Sequence, residues 1–190
     1  MTRLILASAS PRRHQLLTQL GLQAQIMAAD IDETVKTGET DRADVERMAR
    51  EKAAAIASIQ PDAIVLSADT AISLDGRLIG KPCDESDAMR IWQALSGRGH
   101  QVLTAAAVCY SGYCDVAISC SEVYFCDLSR QPLSRYWACG EPRDKAGAYA
   151  IQGFAAQWIE RISGSYSGIM GLPLYETANL LTKAGIEIVP

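Results

Sequence analysis

Histidine is scarce here, and cysteine is never paired in the way zinc requires. The chain has 2 histidines, and none of its 6 cysteines (Cys83, Cys109, Cys114, Cys120, Cys126 and Cys139) forms a C-x-x-C pair. Common zinc sites are thereby excluded, since they need clustered thiolate and imidazole ligands. No stretch approaches the roughly 20 apolar residues of a membrane-spanning helix. The first apolar run is short and runs into arginines, unlike a secretory leader. There is no basic block, and the formal net charge is −4, so polymeric nucleic acid is a poor candidate ligand. The Gly-rich P-loop pattern is missing, which counts against a P-loop kinase or transferase. No internal repeat or low-complexity linker interrupts the chain. The expectation is a cytoplasmic protein with reduced thiols, no membrane partner and no nucleic-acid partner. Cysteines in its strand-like runs would act as small hydrophobes.

What is present suffices for a large core: 48% of 190 residues are hydrophobic, enough for one large domain or two small lobes. A local cluster of cations can still bind a small anion in an acidic protein. The best place for one is Leu4-Ile5-Leu6-Ala7-Ser8-Ala9-Ser10-Pro11-Arg12-Arg13. It reads as a buried strand, a tight turn, and a helix opening at Pro11 with Ser10 as N-cap. Free N–H groups, the positive end of the helix and two guanidinium groups meet there, and phosphate suits that spot. The same residues also fit an ordinary strand-to-helix turn with two solvated arginines.

The pattern continues as mixed α/β. Pro11 to Leu20 is expected to be helical, Gln23 to Ala29 a strand, and Asp41 to Ile59 a long helix. The acidic loop Asp30-Ile31-Asp32-Glu33-Thr34 makes Glu33 a candidate, although such loops are often only solvated surface. Lys52 lies on the stripe of Met48 and Ile56, so it either snorkels to the rim or ends in a polar cleft. Asp62 to Ser73 reads as a central strand that carries Asp69. A carboxylate there needs a lysine, a metal or a catalytic role, unless it caps a nearby turn. Asp75-Gly76 signals a hairpin that returns Lys81 toward Asp69 and Thr70; the loop length decides whether they share a face. Further expectations are a helix over Asp84 to Leu95, strands over Gln101 to Tyr110 and Val116 to Cys126, and a helix over Ser129 to Cys139. A polar Gly/Pro loop leads to Gln152, followed by a strand over Gln157 to Ile162 and a helix over Leu172 to Ala184. With the first and third strands parallel, Ser8 and Asp69 would both lie at carboxyl ends of strands, where ligands bind in open α/β sheets. The cleft between them would hold mostly cations, a mixture suited to a polyphosphate with a divalent metal.

These residues resemble the Maf family of nucleoside triphosphate pyrophosphatases. The match runs through Ala7-Ser8-Ala9-Ser10-Pro11-Arg12-Arg13, Asp32-Glu33-Thr34, Arg50-Glu51-Lys52-Ala53, Ser67-Ala68-Asp69-Thr70 and Gly80-Lys81-Pro82. It continues through Asp144 to Tyr149, Ile151-Gln152-Gly153, Gly164-Ser165-Tyr166 and Met170 to Leu174. Each motif is short, and the ordered set is specific. The resemblance implies an elongated twisted mixed sheet flanked by helices, two lobes with a central cleft, ITPase-like, in one domain over residues 1–190. It implies cleavage of a nucleoside triphosphate to monophosphate and pyrophosphate with a divalent cation (Mg, Mn or Co). Arg12, Thr70 and Gln152 look like the dTTP/UTP branch; a branch selective for methylated guanosine triphosphate carries Trp, Gln and Glu there. Ser8, Arg12 and Arg13 would hold the triphosphate, with Thr70 and Gln152 at the base. Lys52 and Lys81 would neutralise charge on the leaving pyrophosphate. Glu33 and Asp69 would orient metal and water, with Asp69 as general base. A homodimer is among the expected assemblies, and a nucleotide-binding regulator of cell division is the alternative function.

Overall fold

Strand β1 (Leu4–Leu6) is only three residues long, yet the sheet is laid out from it. The computed structural model describes residues 3–189. After β1 come α1 (Pro11–Gln19), β2 (Gln25–Ile26), α2 (Asp41–Ile59), β3 (Ile64–Leu74) and β4 (Arg77–Ile79). Then follow α3 (Glu85–Leu95), β5 (Gly99–Tyr110), β6 (Tyr113–Phe125), α4 (Arg130–Ala138), β7 (Ile159–Ser163), α5 (Tyr166–Met170) and α6 (Leu174–Lys183). Short 3-10 turns cover Ala146–Ala148 and Phe154–Trp158. The strands form an open seven-stranded mixed sheet in the order β2-β1-β3-β5-β6-β7, with β4 also paired to β3. β1 runs parallel to β2 and β3, whereas β3, β5, β6 and β7 are successively antiparallel.

The unbroken apolar runs are explained by cover on both faces of the sheet. Leu4, Leu6, Ile64 and Leu66 pack with Leu16 and Leu17 of α1 and with Leu180 and Leu181 of α6. Ile5 and Val65, one residue out of phase, pack on the opposite face with Val45, Ala49, Ala53 and Ile56 of α2. A third cluster joins the far ends of β3, β5 and β6 to Trp92 of α3 and Tyr136 of α4.

The register leaves an opening in the middle. On one flank of β3, β1 pairs only with Ile64, Val65 and Leu66, and β4 begins only at Ile72. Between them, residues 67–71 are unpaired on that side, while β5 covers the other side, setting Asp69 opposite Ala105 and Thr70 opposite Thr104. The chain closes β1 with an Ala7 N–H to Leu66 carbonyl bond of 2.7 Å and then turns away toward α1. Asp69 is therefore mid-strand, not at a carboxyl end: its strand runs on beyond the point where β1 stops.

Several boundaries differ from expectation. β2 is confined to two residues, and β6 starts right after the two-residue turn Ser111-Gly112. The expected strand from Gln157 begins as a 3-10 turn and becomes β7 only at Ile159. The expected last helix, Leu172 to Ala184, is α6, which begins two residues later with Pro173 as its N-cap; the short α5 before it, ended by Gly171 at a left-handed φ of 114°, was not foreseen. Ser10 occupies the N-cap of α1 without a side-chain cap bond; its N–H instead donates to Ser8 Oγ at 3.2 Å. The thiols are not all reduced either. Cys109 and Cys114 sit directly opposite each other across the β5–β6 turn and form a disulfide. A hairpin brings a five-residue spacing together, which a search for adjacent pairs overlooks. No helix among the described residues is long and apolar enough to cross a membrane.

His100 of β5 is buried in the third cluster, edge-on to Phe125 and Tyr149, with Nε2 2.8 Å from Tyr149 Oη and Nδ1 unpartnered. Burial pushes its pKa down to about 4, against 6.5 when exposed. Below pH 6.5 the unfolded chain therefore takes up a proton that the folded chain refuses, and stability falls as pH drops from 6.5 toward 4. Between pH 7 and pH 5 the loss from this one residue is about 2 kcal/mol. Unfolding of wild type and His100→Phe at those two pH values checks it: the variant keeps the ring contacts and should lose less on acidification. Equal losses would remove His100 as the acid-sensitive group.

Candidate active site

The opening along β3 is the floor of a cavity of about 650 Å³. Its wall includes Ser8, Arg12, Arg13, Glu33, Lys52, Asp69, Thr70, Lys81 and Gln152, so all nine residues singled out from the sequence reach one space. Their neighbours there include Asp44, Asp144 and Lys145. The charge balance differs from expectation. The wall carries five cations (Arg12, Arg13, Lys52, Lys81, Lys145) against four carboxylates (Glu33, Asp44, Asp69, Asp144), and is not mostly cationic.

At the centre stands Lys52. Helix α2 packs on the sheet through Val45, Ala49, Ala53 and Ile56, and this turns Lys52 inward beside them. Its Nζ lies 2.7 Å from Asp69 Oδ1 and 2.7 Å from Glu33 Oε1. The polar-cleft alternative holds, and the snorkelling one does not. The lysine stem is buried, and its ammonium joins a strand carboxylate to a loop carboxylate. Asp69 thus takes its ion pair from α2 and not from the β4 side. Glu33 is held below the usual carboxylate range, chiefly by the hydrogen bond from Lys52. Lys81 lies two residues beyond the end of β4, since the Asp75-Gly76 turn pairs Ile72 with Ile79 and the ladder then stops. It stays within electrostatic reach of Glu33.

Arg13 is braced rather than free. Nε donates to the Gly171 carbonyl at 2.8 Å, one terminal nitrogen to Ser8 Oγ at 3.2 Å, and the other to Thr70 Oγ1 at 3.3 Å. Desolvation pushes its guanidinium below its ordinary pKa, and Asp69 opposes that shift. Thr70 Oγ1 is also 3.0 Å from Thr104 Oγ1, which donates to the Gly168 carbonyl at 2.8 Å. Helix α1, strands β3 and β5 and the α5 segment are thereby linked behind the cavity. Arg13 still has N–H groups to present, because a guanidinium carries five donors and three are used.

Gln152 is exposed on the loop before Phe154–Trp158. Glu141 anchors that loop: both its oxygens accept from Phe154 N–H, at 3.2 and 3.3 Å, and Oε1 accepts from Tyr136 Oη at 2.6 Å. A Cβ on Gly153 would run into the Glu141 carboxylate, so a side chain there would displace the anchor.

Sequence reasoning passed over Asp44 and Thr104. Asp44 is buried in the first turn of α2, where an acid reads as ordinary helix-end stabilisation. Burial pushes its carboxyl above the usual range, and Arg47 opposes this. A signal did exist: Asp44, Met48 and Lys52 recur every four residues, on one face. Thr104 gave none, because only the pairing of β5 with β3 sets it against Thr70.

An open mixed sheet with a charged cleft cut beside its central strand defines the class to which this fold belongs. A HAM1 protein from Coxiella burnetii superposes with a TM-score of 0.53 at 18% identity, covering 97% of this chain and all 100% of that one. The Staphylococcus aureus Ham1 protein gives the same TM-score, 0.53, at 14% identity over 96% of this chain and 97% of its own. More narrowly, residues 3–184 match the family model described as Maf-like protein, and the chain belongs to that family. A dTTP/UTP pyrophosphatase of Chromobacterium violaceum is 50% identical over 192 residues, covering 98% of this chain and 97% of the relative. One from Hahella chejuensis is 48% identical over 189 residues, covering 98% and 94%.

Proposed function

We propose that this chain hydrolyses dTTP and UTP to the nucleoside monophosphate and pyrophosphate by attack of water on the α-phosphorus. The observation that carries this reading is the Lys52 ammonium joining Asp69 and Glu33 at 2.7 Å each, in a cleft that also holds Arg12, Arg13 and Lys81. The names of the relatives from Chromobacterium violaceum and Hahella chejuensis support it. The cytoplasm, where triphosphates are available, is the setting this substrate implies.

Each residue has a task its position allows. Arg12, Arg13 and Ser8 bind phosphate oxygens, with Arg13 held in place by its three protein bonds. Lys81 stabilises negative charge as it moves to the leaving pyrophosphate. Lys52 holds Asp69 and Glu33 in alignment and keeps Glu33 ionised. Asp69 Oδ1 is taken by Lys52, and Oδ2 has no protein partner among the described residues, so it is the oxygen that accepts a proton from water.

A divalent cation suits this donor set. Five cationic side chains against four carboxylates cannot by themselves neutralise a triphosphate, which carries several negative charges. Among the described residues no group of three or more His, Cys, Asp or Glu is placed to hold a metal. Magnesium does not need one, because it is commonly held by one or two carboxylates together with substrate phosphates and water. Asp69 and Glu33 are the two oxygen donors that would hold such an ion; when bound it would polarise the phosphate and lower the pKa of its water.

Selectivity is assigned to Arg12, Thr70 and Gln152. A uracil or thymine edge presents carbonyl, N–H, carbonyl, and a glutamine amide both donates and accepts, whereas an ionised glutamate only accepts. UTP should therefore outcompete GTP and methylated guanosine triphosphate by roughly a hundredfold in kcat/KM. Gln152→Glu should reduce that preference at least about tenfold, to be read in a competition assay with paired substrates. An unchanged ratio would take Gln152 out of the selectivity set. Pyrophosphate release by purified protein on a panel of triphosphates with Mg²⁺, Mn²⁺ and Co²⁺ tests the reaction itself. Binding without release would favour a nucleotide-binding regulator instead.

A further inference from the structure

The loop that delivers Glu33 is exposed, yet its carboxylate ends on a fixed point. Residues 32–38 are exposed throughout, and the Glu33 side chain is 58% exposed. A segment with so little burial cannot be fixed by packing of its own. Lys36 reaches Glu51 of α2 at 3.4 Å, but both side chains are largely exposed; the firmer tie is Arg47 of α2, whose side chain is only 14% exposed. Arg47 Nε donates to Glu39 Oε1 at 2.8 Å and to Oε2 at 3.0 Å, and a terminal nitrogen reaches Oε2 at 2.7 Å. That same nitrogen donates to the Thr34 carbonyl at 3.3 Å and to Asp44 Oδ1 at 2.7 Å. The other terminal nitrogen meets Glu51 Oε2 at 3.4 Å. One guanidinium therefore grips the loop twice, beside Glu33 and again at Glu39 just before α2, while Asp44 and Glu51 hold it to its own helix. Arg47 is not on the cavity wall.

We propose that Arg47 is a positioning residue: it fastens the Glu33 loop to α2, the helix that bears Lys52, and so sets the 2.7 Å contact of Glu33 with Lys52. The inference rests on the reading of Glu33, Lys52 and Asp69 as reaction machinery. A planar five-donor fork is suited to several partners at fixed angles, which an ammonium cannot replace. Arg47 thus acts on the reaction through Glu33, and Glu39→Gln, which leaves the Arg47–Asp44 bond in place, separates that route from one through Asp44 of the cavity wall.

The test uses Arg47→Gln and Glu39→Gln, each in the wild type and in a Glu33→Gln background. Two readouts are taken: amide hydrogen exchange over residues 32–39, and kcat and KM for UTP with Mg²⁺. Exchange in the loop should rise at least about tenfold in both variants while the strands of the sheet keep their protection. Activity should fall about tenfold, mainly in kcat, in the wild-type background. In the Glu33→Gln background the further loss should be less than about twofold, because the residue being positioned is already gone. Arg47→Lys keeps the charge and loses the fork, and should not rescue. Glu39→Gln removes the charge and one of the two acceptor oxygens at a single partner, and carries the test if Arg47→Gln does not fold. Unchanged loop exchange overturns the proposal, and so does an activity loss equally large in both backgrounds. Failure of the wild type to cleave any triphosphate would instead defeat the reading of the site, and loop exchange would still decide whether Arg47 is the clamp.

Discussion

Asp69→Asn should lower kcat for UTP about a thousandfold, which corresponds to about 4 kcal/mol of barrier, with the fold intact. The substitution keeps the size of the side chain and its place on β3 between the β1 and β4 pairings. It removes the negative charge that Lys52 meets at 2.7 Å and the oxygen free to take a proton. An amide neither accepts a proton from water nor binds a hard cation as a carboxylate does. The loss should appear at saturating UTP and Mg²⁺, so that weaker binding is not its cause, and circular dichroism and thermal melting should stay close to wild type. A kcat within a few-fold of wild type would show that Asp69 neither activates water nor holds the cation.

Lys52→Met should cost about a hundredfold in kcat/KM, about 2.7 kcal/mol. Methionine retains most of the buried stem on α2 and deletes only the ammonium. The two carboxylates that shared it are then left facing each other in a partly enclosed cleft, and both repulsion and misalignment follow. A distinctive mark accompanies the loss. Glu33 is depressed chiefly by its hydrogen bond from Lys52, so without that bond its pKa rises. The acid limb of the pH–rate profile should therefore move to higher pH in Lys52→Met, since Glu33 protonates sooner as pH falls. A variant with reduced rate and an unmoved acid limb would place the role of Lys52 on the phosphates alone.

The candidate site was legible from the sequence, and the particular contacts were not. Ser8, Arg12 and Arg13 follow a short apolar strand, and Asp69 interrupts a long one; both are departures from what a core segment needs. Lys52 on an apolar helical stripe is the same kind of departure. These conflicts between local pattern and chemistry pointed to one cleft, and all nine residues line it. Which cation would meet Asp69 was not available from spacing. The hairpin suggested Lys81, but β4 ends at Ile79, and Lys52 comes in from α2, packed on the face that Asp69 shares. The fold was readable where periodicity was strong, as in α2, α3 and the β5–β6 hairpin. A helix as short as α5, which Gly171 ends after five residues, was passed over. Asp44, Arg47 and Thr104 went unseen for a common reason. A buried acid in a first helical turn, an arginine among glutamates and a threonine in a strand each have an ordinary local explanation. Their present surroundings arise only from long-range pairing. The Cys109–Cys114 bond is the clearest correction, because it depends on hairpin register rather than on cysteine spacing along the chain.

The central claim is that water attacks the α-phosphorus, beside Asp69. Turnover of UTP in water enriched in oxygen-18, with mass analysis of both products, tests it most directly. The account predicts one heavy oxygen in each uridine monophosphate and none in pyrophosphate. Label in pyrophosphate, or release of inorganic phosphate in place of pyrophosphate, would contradict it.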